Sequence, residues 1–323
     1  MSETFRLAAF NLENLDWSPA REAQFGRRLS VLRPILRALA ADVLCLQEVG
    51  AQKSPSSAPR RFLALQRLLE GTDYAAFHRA TTVRPGASEP SDVHNLAILS
   101  RWPILETRQL HHDIVARWSW TPPPDDAASS DPVDIVFDRP LLYARIALPR
   151  GAPLHVVNLH LRAPRAVPLA PARGAGSSRA LVEGQFAAAL KREGQALEAR
   201  LLAERIFDAE PAARLAVCGD FNADEHDAPT RILRGARDED LPASPRALVA
   251  LEERVAPARR YTVIHAGRPV LIDHILASPA LAAACEEVEI LNGGLQDEVF
   301  AVDPIEGSLH APLVATIGFL EAP

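Results

Sequence analysis

The chain has 323 residues, 48% of them hydrophobic and 24% charged, with a formal net charge of −6. That balance belongs to a globular protein and excludes a globally basic chain that would coat nucleic acid, although a local basic patch stays allowed. No apolar run approaches the length of a membrane span, and Glu3 and Arg6 come too early for a signal-peptide core, so the protein is expected in the cytoplasm.

Phe5 to Asn11 reads as a short strand, and the segment Asn11-Leu12-Glu13-Asn14 at its end carries an amide and a carboxylate. Residues 21 to 40 place Phe25, Leu29, Leu32, Leu36 and Leu39 at helical spacing. Pro34 lies inside that pattern and is expected to kink or split the helix. Val43-Leu44-Cys45-Leu46 is a second buried strand, closed by Gln47-Glu48-Val49. Residues 54 to 60 form a Pro/Ser-rich loop, Phe62 to Leu69 a helix, and Thr81 to Asp92 a further loop. Leu96 to Leu99 is the next strand.

Residues 111 to 132 hold two histidines, Trp118, Trp120 and a run of prolines. A long loop with aromatics is a functional candidate, and a flap over an apolar edge is the plain alternative. Val133 to Phe137, Leu141 to Leu148 and Leu154 to Leu159 read as consecutive strands. Arg139 sits in the first turn, and the last strand runs into Asn158-Leu159-His160-Leu161. Residues 162 to 192 then contain Arg162, Arg165, Arg173, Arg179, Lys191 and Arg192 against Glu183 and Glu193. Such a segment either guides a polyanion or is a solvated face. Glu183 to Asp208 is the longest helical pattern.

The apolar run Leu215-Ala216-Val217-Cys218 stops at Gly219-Asp220-Phe221-Asn222, which puts a carboxylate and an amide at a strand end. Beyond it, Thr230 to Gly235 and Pro245 to Leu251 are short helical candidates. Tyr261 to His265 and Val270 to Leu276 form a hairpin about Ala266-Gly267-Arg268-Pro269, and the second strand contains Asp273-His274. Val288 to Leu291 and Pro312 to Ile317 are the last strands. Cys45 and Cys218 lie within apolar runs as core residues of a reducing compartment, and no zinc-like spacing links the three cysteines. No internal repeat or linker divides the chain, so residues 1–323 are expected to form one domain.

Asn11, Glu48, His160, Asp220, Asn222, Asp273 and His310 thus all sit at the edges of apolar strands. Their chemistry is coherent. A Glu with an amide oxygen suits a hard cation such as Mg²⁺. Histidines and an asparagine supply donors to anionic oxygens. Asp220 can orient or deprotonate a water, and Asp273 can fix and charge the His310 imidazole.

In this order, Asn11, Gln47-Glu48, Asn158-Leu159-His160-Leu161, Gly219-Asp220-Phe221-Asn222, Ile272-Asp273-His274-Ile275 and His310-Ala311-Pro312 resemble the endonuclease/exonuclease/phosphatase superfamily. The resemblance spans nearly the whole chain. It implies an α/β fold, a four-layer sandwich of two packed mixed β-sheets flanked by helices. It also implies Mg²⁺- or Mn²⁺-dependent hydrolysis of a phosphoester. By position, Glu48 and Asn11 would hold the metal. Asp220 would activate the water, Asn222 would bind it or a phosphoryl oxygen, and His160 with the Asp273–His310 pair would stabilise the transition state. Arg139 falls where nuclease-like members carry a phosphate-contacting arginine, and Arg162 opens the basic segment. One departure is Ser308-Leu309-His310, where the family has Ser-Asp-His. Asp303 or Glu306 could supply the missing acid, or the chain could be a silent binding module. The substrate stays open between nucleic acid, through a nuclease or phosphodiesterase, and a small molecule or lipid headgroup.

Overall fold

The computed structural model describes residues 3–53, 59–121, 131–167, 178–235 and 244–319. Arg173, the prolines at 122–124 and most of the Pro/Ser-rich loop lie outside them. In chain order the elements are β1 (Thr4–Leu15), α1 (Glu22–Leu39), β2 (Val43–Val49), α2 (Leu63–Leu69), β3 (His78–Thr81), β4 (Asn95–Ser100), β5 (Ile104–Leu110), β6 (Trp118–Trp120) and β7 (Val133–Ile135). There follow β8 (Leu141–Ile146), β9 (Leu154–His160), α3 (Arg179–Ala209), β10 (Arg214–Asp220), α4 (Ala228–Arg234), β11 (Val249–Ala250), β12 (Val263–His265), β13 (Arg268–Val270), β14 (Asp273–Ala277), α5 (Pro279–Ala283), β15 (Cys285–Ile290) and β16 (Leu313–Gly318).

Two six-stranded sheets result, in the orders β15-β16-β1-β2-β4-β3 and β11-β14-β10-β9-β8-β5. Each has one parallel pair near its centre, β1 with β2 and β9 with β10, and antiparallel neighbours elsewhere. Side chains alternate across each strand, so every central strand feeds two cores. Leu7, Ala9, Val43 and Cys45 face Leu154, Val156, Ala216 and Cys218 between the sheets. The opposite faces, Ala8, Phe10, Leu44 and Leu46, pack on Leu32, Leu36 and Leu39 of α1. Val157, Leu159, Leu215 and Val217 pack on Ala199, Leu202 and Ala203 of α3. Helix, sheet, sheet, helix is the expected four-layer sandwich, with hydrophobic runs because the strands are covered on both sides.

Several local expectations change. Helix α1 runs through Pro34 without a break. Proline removes one N–H bond, but Pro34 is exposed while Leu32, Leu36 and Leu39 are fully buried, so packing on the sheet outweighs that loss. Residues 245–250 form a turn and the short β11 rather than an α-helix, and a single 3-10 turn opens at Leu251. The hairpin turn is only Ala266-Gly267, both with positive φ, as a two-residue connection demands. The chain then leaves that hairpin, and β14 begins at Asp273 in the second sheet, so Asp273 starts its strand rather than ending it. Strands β3 and β5 carry too few apolar residues to stand out in the sequence, being exposed on much of their surface.

The segment holding the tryptophans is partly a small hairpin, β6 with β7. The Trp118 ring lies where a side chain on Gly194 of α3 would have to be, and Trp120 meets Phe186 edge-on with ring centroids 5.3 Å apart. Both indoles therefore cover α3. No helix among the described residues is long and apolar enough to cross a membrane.

Candidate active site

The register of the second sheet builds the centre of the site. Asp220 pairs with His160 on β9 and with Asp273 on β14, so three motifs far apart in sequence meet on adjacent strands. Gly219 makes this approach possible. Its φ is +132°, and a Cβ there would lie 2.0 Å from the Leu159 carbonyl oxygen, so only glycine fits. From the first sheet, the β1–β2 register sets Asn11 beside Gln47. Gln47 Nε2 donates 2.7 Å to Asn158 Oδ1, and Asn158 Nδ2 donates to the Leu46 and Ala97 carbonyls. This buried amide bridge ties the two sheets directly below the polar cluster.

The carboxylate of Asp220 is the node. Its Oδ2 accepts from Asn11 Nδ2 at 3.0 Å and Asn222 Nδ2 at 3.3 Å, and its Oδ1 accepts from the Asn222 N–H at 2.8 Å. His160 Nε2 lies 3.3 Å and His310 Nε2 4.0 Å from the same Oδ2. Glu48 is adjacent. Its Oε1 lies 3.4 Å from Asn11 Nδ2 and 3.8 Å from His160 Nε2, and its Oε2 accepts from the Asn14 N–H. Asp273 Oδ2 meets His310 Nδ1 at 2.8 Å, while its Oδ1 is buried without a partner. Thr262 Oγ1 accepts the N–H groups of Ile272 and Asp273 and so fixes where β14 starts. Asp220 is 2% exposed, so it is a buried acid although it stands at a strand end.

Burial is the largest influence on Asp220 and, with the Asp273 and Glu48 charges against the opposing pull of His310, it raises the carboxyl to about 7. For His310, burial acts downward, but the Asp273 carboxylate, then Asp220 and Glu13, outweigh it and lift the imidazole to about 10. His160 moves the other way. Burial and then the charges of Arg139, His94 and His310 hold it well below its ordinary value. The two histidines therefore differ in charge at neutral pH. His310 is a cation and His160 is neutral.

Arg139 Nη1 lies 2.5 Å from His160 Nδ1. A guanidinium only donates, so Nδ1 is the acceptor and the His160 proton sits on Nε2, aimed at Asp220 and Glu48. Arg139 is in turn anchored through its carbonyl, which accepts from Gln195. Arg162 pairs with Asp138 at 3.0 Å, and Lys191 pairs with the same carboxylate at 2.6 Å. Arg179 pairs with Glu183. Three cations of the basic segment are thus engaged by two acids.

Leu309 is buried and apolar. The acids expected to replace its family counterpart do not reach the site: Asp303 is exposed and Glu306 pairs with Arg27 at 2.8 Å. The acid that does come close is Glu13, whose carboxyl is raised by burial and by the Glu48 charge. Ser308 Oγ donates to the Asn11 carbonyl and accepts the His310 N–H, stapling the last motif to β1. His94 is a further unforeseen neighbour, 4.0 Å from Glu48. Glu48, His94 and His160 form one compact cluster of metal-ligand types, and Asp220, Asp273 and His310 another.

Strain gathers here too. Glu13, Asn14, Glu48, His94 and Asn222 all have positive φ, a conformation that costs non-glycine residues about 1–3 kcal/mol each. Arg28 holds part of this strained rim. From α1 its guanidinium donates to the carbonyls of Leu12, Glu13, Asn14 and Gly307. Arg28→Met should lower unfolding stability by roughly 3 kcal/mol, since buried carbonyls would lose their donors. Urea titration measures it, and a change within 0.5 kcal/mol or so would show that water replaces the guanidinium.

The family model described as "Endonuclease/Exonuclease/phosphatase family" matches residues 8–308. No curated protein matches the chain. Among solved structures, a family protein from Bacteroides thetaiotaomicron is 15% identical with a TM-score of 0.58, covering 98% of this chain and 95% of that one. A 3′ phosphatase, NExo, from Neisseria, bound to a product DNA hairpin, is 17% identical with a TM-score of 0.53, covering 96% and 98%. An AP endonuclease from Archaeoglobus fulgidus is 18% identical with a TM-score of 0.52, covering 97% and 99%. At these identities the structural likenesses establish the fold alone. With the family match over 8–308 and two metal-ligand clusters on that fold, the chain belongs to the endonuclease/exonuclease/phosphatase family and is a metal-dependent phosphoesterase.

Proposed function

We propose that the chain is a Mg²⁺- or Mn²⁺-dependent phosphodiesterase, acting as one domain, that attacks phosphorus with a water activated at Asp220. One observation carries this reading: a neutral histidine, a cationic histidine and two asparagines converge on a single buried carboxylate raised to about 7. A base with that pKa works near neutral pH.

The donor set fits a hard divalent cation. Glu48 and Asp220 both face the same Asn11 amide nitrogen, and Asp273 keeps an unpartnered buried oxygen. Oxygen donors of this kind suit Mg²⁺ or Mn²⁺. Zinc fits less well, because His160 carries its proton on the nitrogen that faces Glu48. Glu48 would hold the cation. Asn11 would add its carbonyl oxygen in the amide orientation opposite to the one found, where Oδ1 accepts the Glu13 N–H. When bound, the cation offsets charge building on the phosphoryl oxygens.

The protein groups then divide the remaining work. Asp220 takes the proton of the attacking water, and Asn222 orients that water or a phosphoryl oxygen. His160 donates a neutral hydrogen bond from Nε2, in the tautomer that Arg139 maintains. His310 places positive charge where negative charge accumulates, with Asp273 holding its proton. Free, buried cysteines fit a reducing compartment such as the cytoplasm.

Glu48→Gln is the direct test. It should raise the Mg²⁺ or Mn²⁺ concentration for half-maximal activity by roughly 10–100-fold. Metal should also raise the melting temperature of the wild type and not of the variant. Full activity in excess chelator would overturn the metal assignment. A nuclease is one form of this activity. The ion pairs that engage Arg162, Lys191 and Arg179 favour a second form, hydrolysis of a short phosphoester, over tracking of a long polyanion.

A further inference from the structure

We infer that the cavity beside His310 is a subsite for an uncharged, apolar or aromatic group esterified to the scissile phosphate. The inference rests on the phosphodiesterase reading and narrows its substrate class. The cavity measures about 690 Å³ and is bounded by α1 and by the chain between β15 and β16. Val31, Ile35, Leu291, Phe300, Val302 and Ile305 supply its apolar wall, and His310 also lines it. The cavity therefore adjoins His310, whose Nε2 lies 4.0 Å from Asp220 Oδ2.

Two further observations select the occupant. Val299, Phe300 and Val302 are 50%, 70% and 82% exposed, a cluster of large apolar side chains left uncovered next to a polar site. Soluble proteins keep such patches where something binds. The charges on the wall away from His310 then disfavour a second phosphate. Among the described residues no Lys or Arg lines the cavity, whereas Asp297 and Glu306 do. Those carboxylates are also not waiting for a cation. Asp297 accepts the N–H groups of Ala266, Gly267 and Val299, and Glu306 pairs with Arg27. No lysine or arginine answers an anionic group there, a cationic group meets acids already partnered, and the apolar wall suits an uncharged one. Arg139, which contacts His160, sits instead in the turn before β8 of the second sheet.

The test uses the full chain with saturating Mn²⁺ and bis(4-nitrophenyl) phosphate. Phe300→Ser combined with Val302→Ser should raise KM about tenfold while kcat moves less than twofold, as expected for lost apolar contacts in a pocket. Both side chains are exposed, so the melting temperature should hold. Phenyl phosphate binding by calorimetry in excess chelator should weaken by about the same factor, which reads the subsite with metal-dependent turnover switched off. Unchanged KM and unchanged phenyl phosphate affinity would overturn the subsite. Weaker binding of phosphocholine, and not of phenyl phosphate, to the double variant would overturn it too, by assigning the cavity to a cation. Failure of the wild type to hydrolyse any diester would instead overturn the phosphodiesterase reading, with the phenyl phosphate result still deciding the subsite.

Discussion

Asp220→Asn should lower kcat by about 10³-fold, the middle of the range for loss of a general base, and should raise the melting temperature at pH 8. The two effects share a cause. Burial, reinforced by Asp273 and Glu48, lifts the Asp220 carboxyl to about 7. The folded state thus holds this proton more tightly than the unfolded chain does. The carboxyl's contribution to stability is complete below its unfolded value and is lost as pH rises through about 7. At pH 8 the folded protein carries a buried, repelled carboxylate that the amide would remove. At pH 4 both side chains are neutral and the difference in melting temperature should close. Calorimetry at the two pH values, beside steady-state kinetics, reads both effects. Wild-type turnover, or a variant that fails to fold, would make Asp220 a structural residue. A lower melting temperature at pH 8 would mean that its hydrogen bonds to Asn11 and Asn222 outweigh its desolvation.

The second large effect concerns the Asp273–His310 pair. His310→Ala and Asp273→Ala should each reduce kcat by on the order of 10²-fold or more, with the double variant little worse than either. His310 serves as a cation, and its proton is held chiefly against burial by the Asp273 carboxylate 2.8 Å away. Removing either partner removes the same charge, so losses that multiply would show that the two act independently. His274 is the internal control. It follows Asp273 directly, yet alternation sends it to the other face, where Nδ1 meets Glu252 at 2.5 Å and Nε2 meets the Ala223 carbonyl. His274→Ala should spare kcat in the folded fraction but cost about 3–5 kcal/mol, the usual result of breaking a buried charged pair. Burial lowers its pKa, but Glu252 more than offsets that and raises it. This stabilisation is therefore full below the ordinary histidine value and fades as pH rises through the folded one. If His274 matters to kcat more than His310, the site is misplaced.

Much of the fold and of the candidate site was legible in the residues alone. Runs such as Val43–Leu46 and Leu215–Cys218 are apolar on both faces, which only a covered central strand requires, and each stops at a polar group. Gly219 reads only as part of a strand end, and the fold shows that a side chain there would strike the Leu159 carbonyl. The order of the motifs carried the family. Other features depend on contacts between residues distant in sequence, which no local pattern encodes. Pro34 reads as a helix breaker until the leucines around it are seen packed on the sheet. The basic segment reads either as a polyanion guide or as a solvated face, and only the fold sets Arg162 and Lys191 on the one carboxylate of Asp138. Arg28 looks like one more surface arginine of α1, and His94 like a loop residue before β4. Only the fold turns Arg28 inward onto four carbonyls and brings His94 beside Glu48. The charges of the two histidines follow the same rule. His160 and His310 are the same side chain at equal formal charge in the sequence, and their pKa values part because one is buried against Arg139 and the other against Asp273. The sequence determined which groups stand at the strand ends. Tertiary structure decided their neighbours, and electrostatics at short range in a dry interior makes the neighbours set the chemistry.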